Sequence, residues 1–244
     1  MGKHAVIKEG DLLVCLGGGY FGTKAARLGR ECKARTLIID TNPDCAAREI
    51  ANVVLTEPGT IKAGQVSLIV GDATEILSGI LEGETPKWII PAAPGHSLGK
   101  FINSWLRAKG LKVASGGDLL TEVLAGLPNR LVLSTDEKSG ILISSYMVKG
   151  LRCKADCSQF GICPVTKRKK PAPMYGLLEF SVSEAVDYHK IFISRQFDGV
   201  GGVAGAKVKK TLKYLASLTP PYSLAIGVSC RCHGILSLLK VEGN

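Results

Sequence analysis

The chain has 244 residues, 45% of them hydrophobic and 6% aromatic, and a formal net charge of +10. That length and apolar content suit a buried α/β core in one large domain or two small ones, and they exclude an intrinsically disordered chain. Gly10 and Asp11 interrupt the N-terminal run before it can form a secretory signal, and no apolar run reaches the length of a membrane span. A cytoplasmic protein is expected, in which eight reduced cysteines serve as ligands, nucleophiles or core residues rather than as disulfides.

The first element is an apolar strand at residues 12–16, running straight into Gly17-Gly18-Gly19-Tyr20-Phe21-Gly22 and a helix-forming segment. This order is that of the phosphate-binding turn of a dinucleotide-binding unit. Gly17 allows a tight turn, Gly19 lets the backbone approach a pyrophosphate, and Gly22 lets the helix pack closely on the strand. The first helical N–H groups, from Tyr20 and Phe21 onward, then aim at the phosphates. A second strand at residues 36–39 ends in Asp40, whose carboxylate suits ribose hydroxyls and repels a 2′-phosphate. NAD is therefore expected over NADP.

Asn42-Pro43 opens a short helix to about residue 50, and residues 67–70 form the next buried strand, ending in Gly71-Asp72-Ala73-Thr74. Strand residues 88–90 lead into a proline-rich loop with His96, a helix covers about residues 98–109, and a strand at 111–114 precedes Asp118. The alternation predicts a doubly wound, parallel, Rossmann-like α/β sheet with its strand ends on one ligand-binding edge. His96 and Asp118, placed in loops at that edge, are candidate acid–base or substrate-contacting groups.

The glycine turn, Asp40 and Gly71-Asp72-Ala73-Thr74, in that order, resemble the TrkA-type, or RCK N-terminal, domain that regulates potassium conductance. The resemblance covers roughly the first 115 residues. It implies that Gly17, Gly19 and Gly22 hold the pyrophosphate, that Asp40 holds the adenosine ribose, and that Asp72 and Ala73 lie by the adenine. It also implies a homodimer, since such domains commonly pair and two-fold assemblies are the default for oligomers.

Residues 130–134 and 140–147 read as a hairpin, and a change of composition near Lys149-Gly150 sets the expected division into domains 1–149 and 150–244, the second a smaller, cysteine-containing basic α/β domain. From Leu151 to Tyr214 there are twelve Lys and Arg against five Asp and Glu. Such an excess serves solubility or an anionic partner: a nucleotide, an acidic metabolite or nucleic acid. Lys167-Arg168-Lys169-Lys170, followed by Pro171-Ala172-Pro173, reads as a solvated linker. No RNA-binding motif or helix-turn-helix pattern accompanies the charge, so nucleic acid is the weaker partner.

Five cysteines bunch in the second half, as Cys153-x3-Cys157-x5-Cys163-Pro164 and Cys230-Arg231-Cys232-His233. Cys15, Cys32 and Cys45 read as core thiols, but the later run is interleaved with polar residues. Thiolates from two segments suit one metal centre: a four-iron cluster, favoured by the loop glycine and the proline after Cys163, or zinc. A redox dithiol at Cys230 and Cys232 is the third reading. Beside it, a strand at residues 190–194, a flexible loop from Gly199 to Gly205 and a basic helix at 206–218 precede a strand at 222–228, an arrangement expected to put an anion pocket next to the cysteines. Arg195 is the candidate to bind a carboxylate or phosphate there. The residues together point to an NAD-binding, cysteine-ligated metal protein acting as an oxidoreductase or redox-responsive regulator. A non-catalytic, TrkA-type nucleotide-sensing module and a zinc-containing nucleic-acid binder are the alternatives.

Overall fold

The computed structural model describes residues 7–148, 150–151, 153–154, 157 and 161–243. Strand β1, Leu12–Leu16, is buried along its whole length, as the apolar run of an interior parallel strand requires. Helix α1, Tyr20–Glu31, returns the chain to β2, Arg35–Asp40. Its buried face is small, with Gly22, Ala25, Ala26 and Gly29 against the sheet. A Cβ at Gly29 would come 2.0 Å from Thr36 Oγ1, so the helix sits as close as it does only because a side chain is missing there. After a short 3-10 turn come β3, Val53–Leu55, and β4, Val66–Val70. Helix α2, Ala73–Gly83, is capped by Asp72, and β5, Trp88–Pro91, follows.

Helix α3, Ser97–Ala108, leads to β6, Val113–Ser115, α4, Leu120–Ala125, and the hairpin of β7, Val132–Asp136, with β8, Ile141–Ser145. Helix α5, Met174–Val182, and β9, Tyr188–Ile193, come next. Then β10, Arg195–Phe197, and β11, Val200–Ala204, pair antiparallel before α6, Gly205–Leu215. The chain ends with β12, Tyr222–Ser229, and β13, His233–Val241, antiparallel over eight residue pairs.

These elements make an α/β protein with two mixed sheets. The first has the order β10-β11-β5-β1-β2-β4-β3, in which β5, β1, β2, β4 and β3 run parallel and β11 and β10 add an antiparallel edge. The second has the order β7-β8-β13-β12-β9, with β6 also on β13; β9 and β12 are its parallel pair. By compactness the chain divides into Met1–Phe101 with Arg195–Ala216, and Ile102–Ser194 with Ser217–Asn244. The first unit carries the first sheet and the second unit the second.

Two sequence expectations change. The strand near residue 113 does not extend the first sheet: β6 pairs antiparallel with β13 in the second unit. The glycine-rich stretch from Gly199 is no anion loop between β9 and the next helix. Asp198 and Gly199, with φ of 41° and 79°, make the two-residue turn of the β10–β11 hairpin, the left-handed geometry that an Asp-Gly pair favours. The hairpin adds to the first sheet, so the β9–β12 crossover runs through the other unit. Among the described residues, no helix is long and apolar enough to cross a membrane.

Candidate functional site

The glycine turn is fixed by three backbone-level constraints. Gly17 has φ +111° and donates its N–H to Ile39 O at 2.8 Å, and a Cβ on it would sit 2.8 Å from Ala93 N in the loop after β5. Gly18 donates to Asp40 Oδ2 at 2.5 Å and accepts from Ala47 N at 2.8 Å, with its α-carbon over the Cys45 sulfur. A Cβ on Gly22 would come 2.1 Å from Gly17 O. Gly19 differs: a Cβ there meets nothing within 4 Å, leaving space above the N-terminus of α1. The first-turn amides of α1 have no acceptor within the helix.

Asp40, at the end of β2, also accepts from Asn42 N at 2.8 Å, so each of its oxygens is oriented by one backbone amide. Tyr20 and Phe21 are exposed and meet edge to face at 5.2 Å, with the Lys24 ammonium over the Tyr20 ring. Cys15 and Cys45 lie in the core below, as their strand and turn positions suggested. Burial first, then Asp40 and Cys45, pushes the Cys15 thiol up, and it donates to Gly17 O at 3.4 Å. The connections diverge here: β1 connects through α1 to β2 on one side, while β4 returns through α2 to β5 on the other. Strands β1 and β5 are thus neighbours whose connections diverge, and Gly17 against Ala93 marks the point where they part.

The other candidates are distributed. His96 is 1% exposed in the first unit, and burial lowers its pKa to about 3, so the ring is neutral at physiological pH. Asp118 belongs to the second unit, where its ion pair with Lys240 holds the carboxyl below its ordinary range. Arg195 is exposed on β10, opposite Gly202. Asp72 spends its carboxylate on α2, with Oδ1 accepting from Thr74 N at 2.7 Å and Glu75 N at 3.2 Å, and Ala73 is the first helical residue.

In the second unit residues 161–170 meet the β12–β13 turn. Residues 161–170 fold back through an Ile162–Lys169 bridge and bonds from Cys163 N to Arg168 O (2.9 Å) and Lys170 N to Gly161 O (2.7 Å). Thr166 N donates to Cys163 Sγ at 3.4 Å. The β12–β13 turn is held by Cys230 N to His233 O at 2.9 Å, by Tyr146 N to Cys232 O and by Met174 N to Arg231 O. Lys170, 3% exposed, donates from Nζ to Cys232 Sγ at 3.1 Å and ties the segments together. The Cys153 thiol is pushed up to about 11 by desolvation, then by Cys157, Cys232 and Cys163, with Cys157 its hydrogen-bond partner. Cys232 is lowered to about 6 by the hydrogen bond with Cys230 first and by the Lys170 ammonium next. Cys230, bonded to the Cys232 thiol, also has its sulfur 3.6 Å from His233 Nδ1 and accepts from Cys232 N at 3.3 Å. Among the described residues, no three His, Cys, Asp or Glu side chains are already set as a metal-holding group.

Sequence reasoning missed Lys170. Within a run of four basic residues before a proline-rich stretch it reads as solvated, whereas Lys169 is exposed and Lys170 turns inward. The alternation imposed by the Ile162–Lys169 bridge separates them, and nothing in the local composition signals it.

Residues 12–97 match the N-terminal domain, and residues 101–242 the C-terminal domain, of the AF_1314 family, each described as an uncharacterized protein. The chain belongs to this family. An uncharacterized protein of Archaeoglobus fulgidus is 34% identical over 229 residues, spanning 93% of this chain and 98% of its own. The ADP complex of an N5-carboxyaminoimidazole ribonucleotide synthetase is similar over 62% of this chain and 43% of its own, with 14% identity and a TM-score of 0.29. The Staphylococcus aureus N5-carboxyaminoimidazole synthetase with ADP is similar over 57% and 39%, with 12% identity and a TM-score of 0.26. The chain spans less than half the length of either solved structure. Membership of the AF_1314 family overturns the resemblance to the TrkA-type domain, because the two domain matches and the near full-length relative together account for the chain. A strand–glycine turn–helix followed by an acid is too local a pattern to distinguish the two. Asp72 and Ala73 were placed by the adenine only through that resemblance, and Asp72 is instead the cap of α2.

Proposed function

We propose that the first unit is a doubly wound, Rossmann-like unit that binds an adenine dinucleotide, with NAD favoured over NADP, and that the protein works in cytoplasmic redox chemistry. The single observation carrying this reading is the glycine turn at the β1–β5 parting, with Gly17 and Gly22 packed to backbone contact while Gly19 keeps open space. The first-turn amides of α1 supply donors for a pyrophosphate, and Asp40, oriented by Gly18 and Asn42, supplies the acceptor for ribose hydroxyls. Its negative charge opposes a 2′-phosphate. Tyr20 and Phe21, exposed beside the turn, offer apolar surface to the ligand.

Two roles fit such a site: an NAD-linked oxidoreductase, and a regulator that reports nucleotide or redox state. The regulator gains from the neutral, buried ring of His96 and from the engagement of Asp118 with Lys240, which leave neither poised for proton transfer. Binding to the native state alone raises stability by about 2.7 kcal/mol at a hundred-fold excess over Kd, or roughly 5–10 °C in melting temperature. Thermal-shift titration with NAD, NADH and NADP is the test. A response to NAD or NADH larger than that to NADP is expected, and no response to any of the three at millimolar concentration sinks the reading.

A further inference from the structure

We infer that the β12–β13 turn carries a dithiol that reduces hydroperoxides, with Cys232 as the attacking thiolate, Cys230 as the thiol that resolves it into a disulfide, and Lys170 as the buried cation that keeps the attacking sulfur charged. The inference is independent of the nucleotide reading, since all three residues belong to the other unit.

The first observation is the contact between Lys170 and Cys232. Lys170 is 3% exposed and donates from Nζ to Cys232 Sγ at 3.1 Å. A buried ammonium is costly unless an anion faces it. The ion pairs among the described residues, Arg35 with Glu84 and Lys240 with Asp118, do not involve Lys170. The group it faces is the Cys232 sulfur, and the thiolate is both the anion that satisfies it and the nucleophilic form of cysteine. Cys15 is the contrast: it is also buried, but Asp40 and Cys45 oppose its ionisation, and its thiol is donated to Gly17 O.

The second observation is the sulfur beside it. Cys230 and Cys232 are hydrogen-bonded thiol to thiol, and the Cys230 sulfur also accepts from the Cys232 amide at 3.3 Å. Residues two apart span at most about 7 Å even when extended, and a turn shortens that span into the range a disulfide bridges. Cys230 N closes this turn by donating to His233 O at 2.9 Å. His233 Nδ1 lies 3.6 Å from the Cys230 sulfur, and burial favours its neutral ring, so it stands where it can take the proton that Cys230 must lose.

The third is access, which selects the oxidant. Cys232 is 6% exposed and Cys230 half-buried, so the attacking sulfur admits a small molecule and excludes the disulfide of a folded protein. The Cys232 thiolate attacks the terminal oxygen of a hydroperoxide. The O–O bond breaks, its electron pair leaves on the alkoxide, which takes a proton from water, and Cys232 becomes a sulfenic acid. Cys230 then gives its proton to His233 and attacks the Cys232 sulfur. An S–S bond forms, the S–O bond breaks, and the departing hydroxide takes up that proton as water. Two electrons pass from the dithiol to one hydroperoxide, giving an alcohol and water, and a thiol reductant restores the pair.

The full-length protein, fully reduced and freed of excess thiol, is mixed at neutral pH with hydrogen peroxide and, separately, with cumene hydroperoxide, and peroxide consumption and thiol loss are followed in time. Two thiols should be lost per peroxide, with the bridge mapped by peptide mass to Cys230 and Cys232. The second-order rate with at least one of the two should exceed that of free cysteine, only a few per cent ionised at neutral pH, by about ten-fold or more. Cys230→Ser should stop at a Cys232 sulfenic acid that dimedone traps, Cys232→Ser should lose the fast reaction, and Lys170→Met should slow it by about ten-fold. Cys15→Ser should react as wild type does. Because a variant can fail to fold, the wild-type rate and bridge decide the matter. A wild-type rate no faster than that of free cysteine with both hydroperoxides overturns the inference, as does a bridge formed elsewhere among the eight cysteines or an undiminished rate in Cys232→Ser.

Discussion

Replacing Gly19 by Ala separates a phosphate-binding turn from a merely tight one. A Cβ at Gly19 meets no heavy atom within 4 Å, and its φ of −72° suits any L residue, so the folded state accepts the methyl without strain. Two small effects then oppose each other. Alanine lowers the freedom of the unfolded chain, worth about 0.4–1 kcal/mol, and is poorer than glycine at a helix N-cap by a similar amount. The net change should stay within about 0.5 kcal/mol, or roughly 2 °C in melting temperature. Against a bound pyrophosphate the same methyl stands about 1.5 Å out from the α-carbon, in the space the phosphate must use. Overpacking of about 1–3 kcal/mol there means that NAD affinity falls by roughly five- to 150-fold in isothermal titration. Gly22→Ala is the contrast: its Cβ would lie 2.1 Å from Gly17 O, so backbone must move and stability and affinity fall together. A Gly19→Ala protein that folds and binds NAD as wild type does would refute the argument, because nothing would then approach that α-carbon.

His96 predicts an acid limb of stability for the first unit. Its pKa is about 3 when folded against an ordinary 6.5, so the unfolded chain takes up the proton first. Stability is highest above pH 6.5 and falls as pH drops towards 3, the loss reaching about 2 kcal/mol at pH 5. Urea unfolding at pH 7 and pH 5 should show His96→Leu losing that slope; an unchanged slope contradicts the assignment. Asp72→Ala removes two amide acceptors at the start of α2 and should cost about 1 kcal/mol without weakening NAD. A selective loss of NAD affinity in that variant would give Asp72 a place in the ligand site after all.

Much of the first sheet is legible in the chain because its signals are local. An all-apolar strand, glycines where backbone must touch backbone, and an acid at the next strand end determine β1, the turn and β2 within thirty residues, and the structure supplies the contacts that demand them: Gly17 on Ala93, Gly22 on Gly17 O, Asp40 on Gly18 N. What the sequence could not determine is long-range pairing. Val113–Ser115 has the same strand character as the parallel strands before it, and only its partner β13 assigns it to the second sheet. Residues 195–216 read as a continuation of the cysteine segment, and only pairing of β11 on β5 returns them to the first unit. Lys170 looks like its three basic neighbours until a cross-strand bridge turns it inward onto Cys232. Periodicity and glycine placement are written residue by residue, whereas the choice of strand partner and the burial of one lysine among four are decided by the free energy of packing segments distant in sequence, which exists only once the fold has brought them together.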